Sequence, residues 1–560
     1  MEIASEPPIE QSGSNESGYW ERPHRLRTAS GYEVKPVYSA SDVAGLEHGE
    51  SGHYPYVRGL HPNGYRGRLW TRREIAGFGD ASDTNERFRF LLENGATGLN
   101  CHFDLPTHLT LDPDHPMADG EVGGAGPSMC RLEDMRRLLD GIRPDEISMS
   151  LISSTMASIV LLSMYAMVSE ERGYKTDQLR GTIQNDPLHA RYCGYTASCP
   201  IDPGVKVAAD VMRYCHQQIP QFYTNNVNMY DLREHGISAA QELAFGFGLA
   251  LAYIDAVLEQ GSTIEEATRR IAFYCSLHND FLEEVAKLRA ARLVWSKLLV
   301  ERYGVDPESK AAHFRIGCQT AGSTLIPQQP LNNIVRIAYQ AMAGVMAGVS
   351  SIHCCGFDEA IGLPSELAHK TAVRTQQILA YETGVAIVAD PLGGSYYVES
   401  LTDRIATDSQ ELLAGIFERG GMLECVRDGW LEEQLATASL EQVRAIEDGD
   451  LRVVGSNWAV EESGDSTPGG IEIFSMEVND RRIREITEFK RERDSTRTAD
   501  SLRRLQHVAR ERPRESLVPP VQDAIRSDAT LGEIVGTIRL AFGLHYDPAE
   551  LIEPPFHLSA

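Results

Sequence analysis

Between residue 95 and residue 390, short strand-like runs recur with helix-patterned stretches between them. The runs are GLNCHF (98–103), ISMSLI (147–152), GTIQ (181–184), NNVNMY (225–230), RIAFYC (270–275), FRIGC (314–318), SSIHC (350–354) and GVAIVAD (384–390). Runs of this length suit strands, and the spacers are long enough for crossover helices. In one spacer, EEVAKLRAARLVWSKLL, Val285, Leu288, Ala291, Trp295 and Leu298 share a face, with Glu283 and Lys287 as an i,i+4 pair on the other. Periodicity alone leaves a doubly wound sheet as a rival, but a count of eight favours a (β/α)8 barrel of the α/β class.

The flanks have a different texture. Residues 1–53 are rich in Pro, Ser, Gly and Glu and read as an extended N-terminal arm. The barrel is expected over 54–400, and 401–560 reads as a mostly helical C-terminal region around the turn-rich EESGDSTPGGIE. The basic run 481–493 reads as a solvated helix face.

Charge and short motifs narrow the function. The chain carries 53 Lys and Arg against 80 Asp and Glu, a formal charge of −27, which disfavours nucleic acid and anionic membranes as partners. No run of 18 apolar residues predicts a membrane span, and the acidic, polar N-terminus is unlike a secretory signal, so a cytoplasmic location is expected. The ten cysteines are scattered without CxxC spacing and read as reduced thiols. There is no HExxH, P-loop, GxSxG or dinucleotide fingerprint, and no metal site is expected.

In a barrel, chemistry sits at the C-terminal strand ends. Those ends offer Asp104, Ser153, Gln184, Asn185, Asp231, His278, Gln319, His353 and Asp390, a polar funnel suited to a small molecule. The set lacks an obvious nucleophile–base pair, which suits a reaction whose hard step belongs to a cofactor. One stretch, VNMYDLREHG (227–236), packs Asp231, Arg233, Glu234 and His235 closely enough to invite a metal-site reading.

Longer motifs carry a resemblance. YPYVRGLHPNGYRGRLWTRREIAGFG (54–79), FDLPTHLTLDPDHP (103–116), GTIQND (181–186), EVAKLRAARLVWSKL (284–298), DEAIGLP (358–364), DPLGGSYYVE (390–399), RERD (491–494) and TLGEIVGTI (530–538) closely resemble the large subunit of the adenosylcobalamin-dependent acyl-CoA mutases. The resemblance covers nearly all of the chain after the arm. It implies a barrel with the acyl-CoA threaded along its axis, and homolysis of a cobalt–carbon bond giving an adenosyl radical that starts a 1,2-rearrangement. The D-x-H-x-x-G signature of the cobalamin-binding domain does not occur. The resemblance therefore implies a separate small flavodoxin-like subunit that ligates the cobalt, in a heterotetramer or other hetero-oligomer.

The resemblance also assigns roles. Tyr65 matches a tyrosine over the corrin near the reacting carbons, and Glu359 a glutamate on the adenosyl ribose. Gln184 and Gln319 match cavity amides, Arg58 and Arg270 match arginines on CoA, and Ser150 a CoA contact. Phe103, Leu105 and His108 fall in the run facing the corrin. Departures mark a rebuilt pocket: Gly194 stands where methylmalonyl-CoA mutase has the arginine that grips the substrate carboxylate, so a dicarboxylic acyl group is disfavoured. Tyr223, Gly317, Ser350 and Cys355 replace an amide-lined neighbour, a histidine, a glutamine and an asparagine.

Asp231 stands where the family pattern S-G-Y-H has a histidine that donates to the thioester carbonyl. An ionised Asp accepts but does not donate. Three readings stay open. Asp231 is protonated by burial and still donates, or is ionised and pairs with a substrate hydroxyl or ammonium, or is structural. Arg233, Glu234 and His235 read as outer loop. The implied function is a mutase acting on a branched, hydroxylated or amino-bearing acyl-CoA, and the alternative is a non-catalytic relative that binds acyl-CoA or a partner.

Overall fold

The computed structural model describes residues 27–46, 49–193, 199–461 and 476–558. Its sheet opens with a strand that apolar alternation does not reveal, β1 (Thr71–Ala76, TRREIA). There follow β2 (Gly98–His102), β3 (Ser148–Ile152), β4 (Arg180–Ile183), β5 (Phe222–Tyr223), β6 (Asn225–Asn228), β7 (Ile271–Leu277), β8 (Ile316–Thr320) and β9 (Ser351–His353). They lie in the order β5-β4-β3-β2-β1-β9-β8-β7-β6, every pairing parallel. β5 and β6 are one stretch interrupted at Thr224, so the two edges of the sheet meet and the ring closes as an eight-position (β/α) barrel.

GVAIVAD is not the eighth strand. β1 pairs with β9 and leaves no edge for it. Residues Val385–Ile387 form a 3-10 turn after Gly384, whose φ of 75° is left-handed, and Ile387 is 71% exposed.

The core lies outside the ring. Leu99, Met149, Leu151, Ile183, Val227, Phe273, Leu277 and Ile352 face the helices and are fully buried. Inside, the wall carries Asn100, Ser148, Ser150, Thr182, Asn226, Ala272, Gly317 and Ser351. Most barrels of this kind fill their axis with branched aliphatic layers; here small and polar side chains leave it open.

Charged groups lock the helices in place. Lys287 bonds Glu242 at 2.6 Å and Glu284 at 2.5 Å, all three fully buried, so the expected exposed pair with Glu283 is replaced by an internal cluster. Glu283 turns instead to Arg233 and to the hydroxyl of Ser30 in the arm, at 3.6 and 2.8 Å. The helix Met476–Glu492 is not a free solvated face: Arg481, Arg482 and Lys490 pair with Asp80, Asp134 and Asp114, and just beyond it Arg493 pairs with Glu533. The helix Ala239–Glu259 is long and apolar enough to cross a membrane by composition, but most of it is buried within the protein. The helix Tyr396–Glu418 runs across residue 400 and packs on Phe281–Tyr303, tying the C-terminal region to the barrel.

Candidate active site

The open axis forms two cavities that share Asn100, Ser150, Asn226 and Tyr274 at a waist. The lower cavity, about 410 Å³, opens at the N-terminal strand ends, and the upper, about 550 Å³, at the C-terminal ends.

Guanidinium groups dominate the lower mouth: Arg58, Arg68, Arg180, Arg270 and Arg315 line it, with Arg73 deeper in. Arg270 and Arg315 both lie over the Tyr223 ring, at 5.4 and 5.8 Å. Arg58 is held by Asp390 at 3.0 Å and Glu399 at 3.3 Å. Arg73 bonds Asn100 and the Ser148 carbonyl at 3.2 and 3.0 Å, and burial lowers it to about 10. Burial, with help from Arg315 and Lys310, lowers His61 below its ordinary value.

At the upper end, the ends of β4 and β6 are stitched together. Asp186 accepts the Asn228 N–H at 2.8 Å, and the Tyr192 hydroxyl donates to the Asn228 carbonyl at 2.9 Å. This brings His189, in the turn after β4, against Asp231, near the start of the helix Met229–Glu234 that follows β6. His189 Nε2 pairs with Asp231 Oδ2, which also accepts from Asn228 Nδ2 at 2.9 Å. The Asn228 side chain caps the same helix, accepting the Asp231 N–H at 3.0 Å. His189 Nδ1 lies 3.0 Å from the Gln184 amide and 3.3 Å from Cys193 Sγ.

Burial alone would raise Asp231, but the hydrogen bond and charge of His189, with His102 and His235 beyond, hold it below its ordinary value. Burial would likewise discharge His189, but Cys193 and Asp231 outweigh it and raise the imidazole well above its ordinary value. Both directions favour a carboxylate at Asp231 facing a protonated His189 over a protonated, donating Asp231.

Elsewhere in the upper cavity, Gln319 accepts from the Tyr274 hydroxyl at 2.8 Å, and Gly322 N–H donates to Tyr230 Oη at 3.1 Å. Burial lowers His353 to about 4, and its Nδ1 accepts the Ile75 N–H at 3.1 Å. Burial raises Glu359, with His353 opposing. Among the described residues no group of three His, Cys, Asp or Glu is arranged to hold a metal ion.

The methylmalonyl-CoA mutase family pattern matches residues 27–544. The chain belongs to this family. Within it, the chain is 38% identical over 531 residues to the 2-hydroxyisobutanoyl-CoA mutase large subunit of Aquincola tertiaricarbonis, covering 94% of this chain and 93% of that one. It is 37% identical over 519 residues to the methylmalonyl-CoA mutase of Rhizobium meliloti, covering 92% and 72%. With the mitochondrial methylmalonyl-CoA mutase of Homo sapiens the identity is 34% over 521 residues, covering 92% and 68%.

The mutase barrel sorts the expected residues by height. Arg58, Arg270, Tyr223 and Ser350 line the lower cavity, Ser150 the waist, and Gln184, Asp231, Gln319, His108 and Glu359 the upper cavity. Three placements differ from expectation. Tyr65 is in the lower half: the turn Gly64–Arg66 precedes β1, Tyr65 lines the lower cavity, and its hydroxyl donates to the Val349 carbonyl at 2.8 Å. Phe103 is fully buried in the outer core, because it follows β2 on the helix-facing side. Cys355 is buried behind Gln319, its thiol donating to the Thr320 carbonyl at 3.1 Å. Leu105 opens the short helix Leu105–His108 at the upper rim, and Gly194 lies outside the described residues.

The charge cluster of VNMYDLREHG is not outer loop. Arg233 is 4% exposed among Glu242, Glu283 and Glu284. Glu234 lines the upper cavity and accepts from the Ser276 hydroxyl and Ser323 N–H at 2.8 and 2.6 Å. His235 also lines it, its Nε2 3.2 Å from the Tyr192 carbonyl. A helix begins at Met229, one residue after the strand, and curls these side chains back inward. Sequence reasoning also passed over His189, His102, Tyr274 and Arg73. The usable signal for His189 was its position five residues past Gln184, just beyond a strand end.

Proposed function

We propose that this chain is the substrate-binding large subunit of an adenosylcobalamin-dependent mutase that rearranges an acyl-CoA without a free carboxylate. A branched, hydroxylated acyl group is the best-supported substrate, and an amino-bearing one the weaker candidate. The observation that carries this reading is the open axis. Two cavities stacked along it and sharing four wall residues lead from a mouth of arginines, suited to the phosphates of CoA, to the strand-end residues of a mutase-family barrel. The relative matched nearly end to end acts, by its name, on a 2-hydroxylated branched acyl-CoA and is named a large subunit.

Among the described residues lining the upper cavity, Arg87 is the one guanidinium, and it donates to the Pro364 carbonyl at 3.3 Å and lies over the Phe78 ring. That supports an acyl group without a carboxylate. A cavity of about 550 Å³ with Glu359 and His108 in its wall fits the adenosyl portion of the cofactor. When bound, adenosylcobalamin supplies the radical that starts the rearrangement. The chain's own residues do the rest. The barrel wall excludes water, Gln184 and Gln319 orient the acyl thioester, and the lower arginines fix the distal end of CoA so that the reacting carbons sit at one height.

The test is reconstitution with a small cobalamin-binding subunit and adenosylcobalamin, followed by a panel of acyl-CoAs analysed for rearranged product. Rearrangement of a branched hydroxyacyl-CoA is expected. Efficient turnover of methylmalonyl-CoA would overturn the substrate assignment, and inertness toward every acyl-CoA would favour a binding protein.

A further inference from the structure

Resting on that reading, we propose that the His189–Asp231 pair is the device that reads the acyl group, with Asp231 Oδ1 accepting a hydrogen bond from a hydroxyl on the acyl chain. Three features converge. Both partners of Asp231 hold the same oxygen: His189 and Asn228 meet Oδ2, while the Asp231 N–H is fixed by Asn228 Oδ1. Among the described residues no donor meets Oδ1. The Asp231 side chain is 33% exposed, against 7% for His189, and that exposure is into the upper cavity beside Gln184 and Tyr274.

Charge selects the guest. The carboxylate and a protonated His189 balance each other, so an ammonium at Oδ1 gains little from the pair itself and meets His189 as a like charge. A carboxylate on the acyl group would face Oδ1 as a like charge. A hydroxyl is a neutral donor and matches an acceptor whose own charge is balanced behind it.

The experiment compares 2-hydroxyisobutanoyl-CoA with isobutanoyl-CoA, which differ by one hydroxyl. Affinity is measured by calorimetry on the full chain, and kcat/KM on the reconstituted holoenzyme. The wild type should favour the hydroxylated thioester by about tenfold to a hundredfold, the range for a hydrogen bond to a charged group. Asp231→Asn should reduce that preference to less than about threefold without changing affinity for free CoA, and His189→Gln should reduce it in part. Equal affinity of the wild type for the two thioesters overturns the inference, whatever the variants do, and so does a preference that survives in D231N. A binding preference that D231N removes, in a holoenzyme that rearranges neither compound, supports the inference while overturning the proposed activity.

Discussion

The two mouths of the channel are both polar, but they handle charge in opposite ways. Among the described residues, the lower mouth gathers five arginines, with Asp390 and Glu399 beside Arg58 and Glu146 also in the lining. At the upper end His189 faces the carboxylate of Asp231 at contact distance, and burial lowers His353 to about 4. An end that grips a polyanionic handle gains from net charge that tolerates small shifts of the ligand. An end where a neutral acyl group must be oriented gains from fixed donors and acceptors, because any net charge there would demand a counter-charge from the substrate.

Blocking the connection between the two ends should give the largest effect. Ser150 faces both cavities, and Ser150→Leu places an aliphatic side chain in the waist. Acyl-CoA turnover should fall at least about a hundredfold through misplacement of the reacting carbons. Thermal unfolding should show no loss of stability, since the added side chain fills open space. A fully active S150L would mean that the acyl group does not pass the waist.

Next in size is the lower mouth alone. Arg270→Ala with Arg315→Ala removes both guanidiniums over Tyr223. It should weaken CoA binding by about tenfold to a hundredfold per arginine, while leaving the preference between a hydroxyacyl-CoA and its deoxy counterpart unchanged. A change in that preference would show that the two ends are not independent.

The pH dependence of stability isolates the upper pair. The folded value of His189 is raised, so its pairing stabilises fully below the unfolded value of about 6.5 and is lost as pH rises through the folded one. Asp231 is lowered, so its pairing stabilises fully above about 3.9 and is lost as pH falls through the folded value. Urea unfolding of wild type and His189→Gln should therefore differ most between about pH 4 and 6.5, with the gap closing on the alkaline side. A gap independent of pH would place the effect of the substitution in packing.

The smallest signal belongs to His61, lowered by burial and neighbouring cations. Phosphates bound among the lower arginines would offset that repulsion. Calorimetry of CoA binding near pH 6 in buffers of different ionisation heat should reveal a fractional proton uptake that disappears in His61→Asn.

How much of this was legible depends on where each residue's partner lies. β2, β3 and β7 announce themselves because their outward residues are apolar. β1 hides because Arg73 faces a polar axis and Glu74 faces outward to Gln376, whose amide donates to it at 3.1 Å. GVAIVAD has strand-forming side chains, but strand formation requires a free edge, and the closed ring has none. Asp231 stood out because the family resemblance sets a histidine at its position, just past the end of β6. His189 did not, because its partner lies 42 positions away and no local pattern links them. The basic run 481–493 looked solvated for the same reason, since the carboxylates that bind it come from distant parts of the chain.

The inward wall of Ser, Asn, Thr, Gly and Ala has a thermodynamic consequence. A barrel that does not pack its own axis leaves part of its cohesion to be supplied by a guest, so an acyl-CoA bound as proposed would act as the last component of the core. Ligand linkage then makes the closed ring conditional. At a thioester concentration a hundred times its dissociation constant, binding adds about 2.7 kcal/mol to the folded state. A fold built this way should resist proteolysis in proportion to how full the channel is.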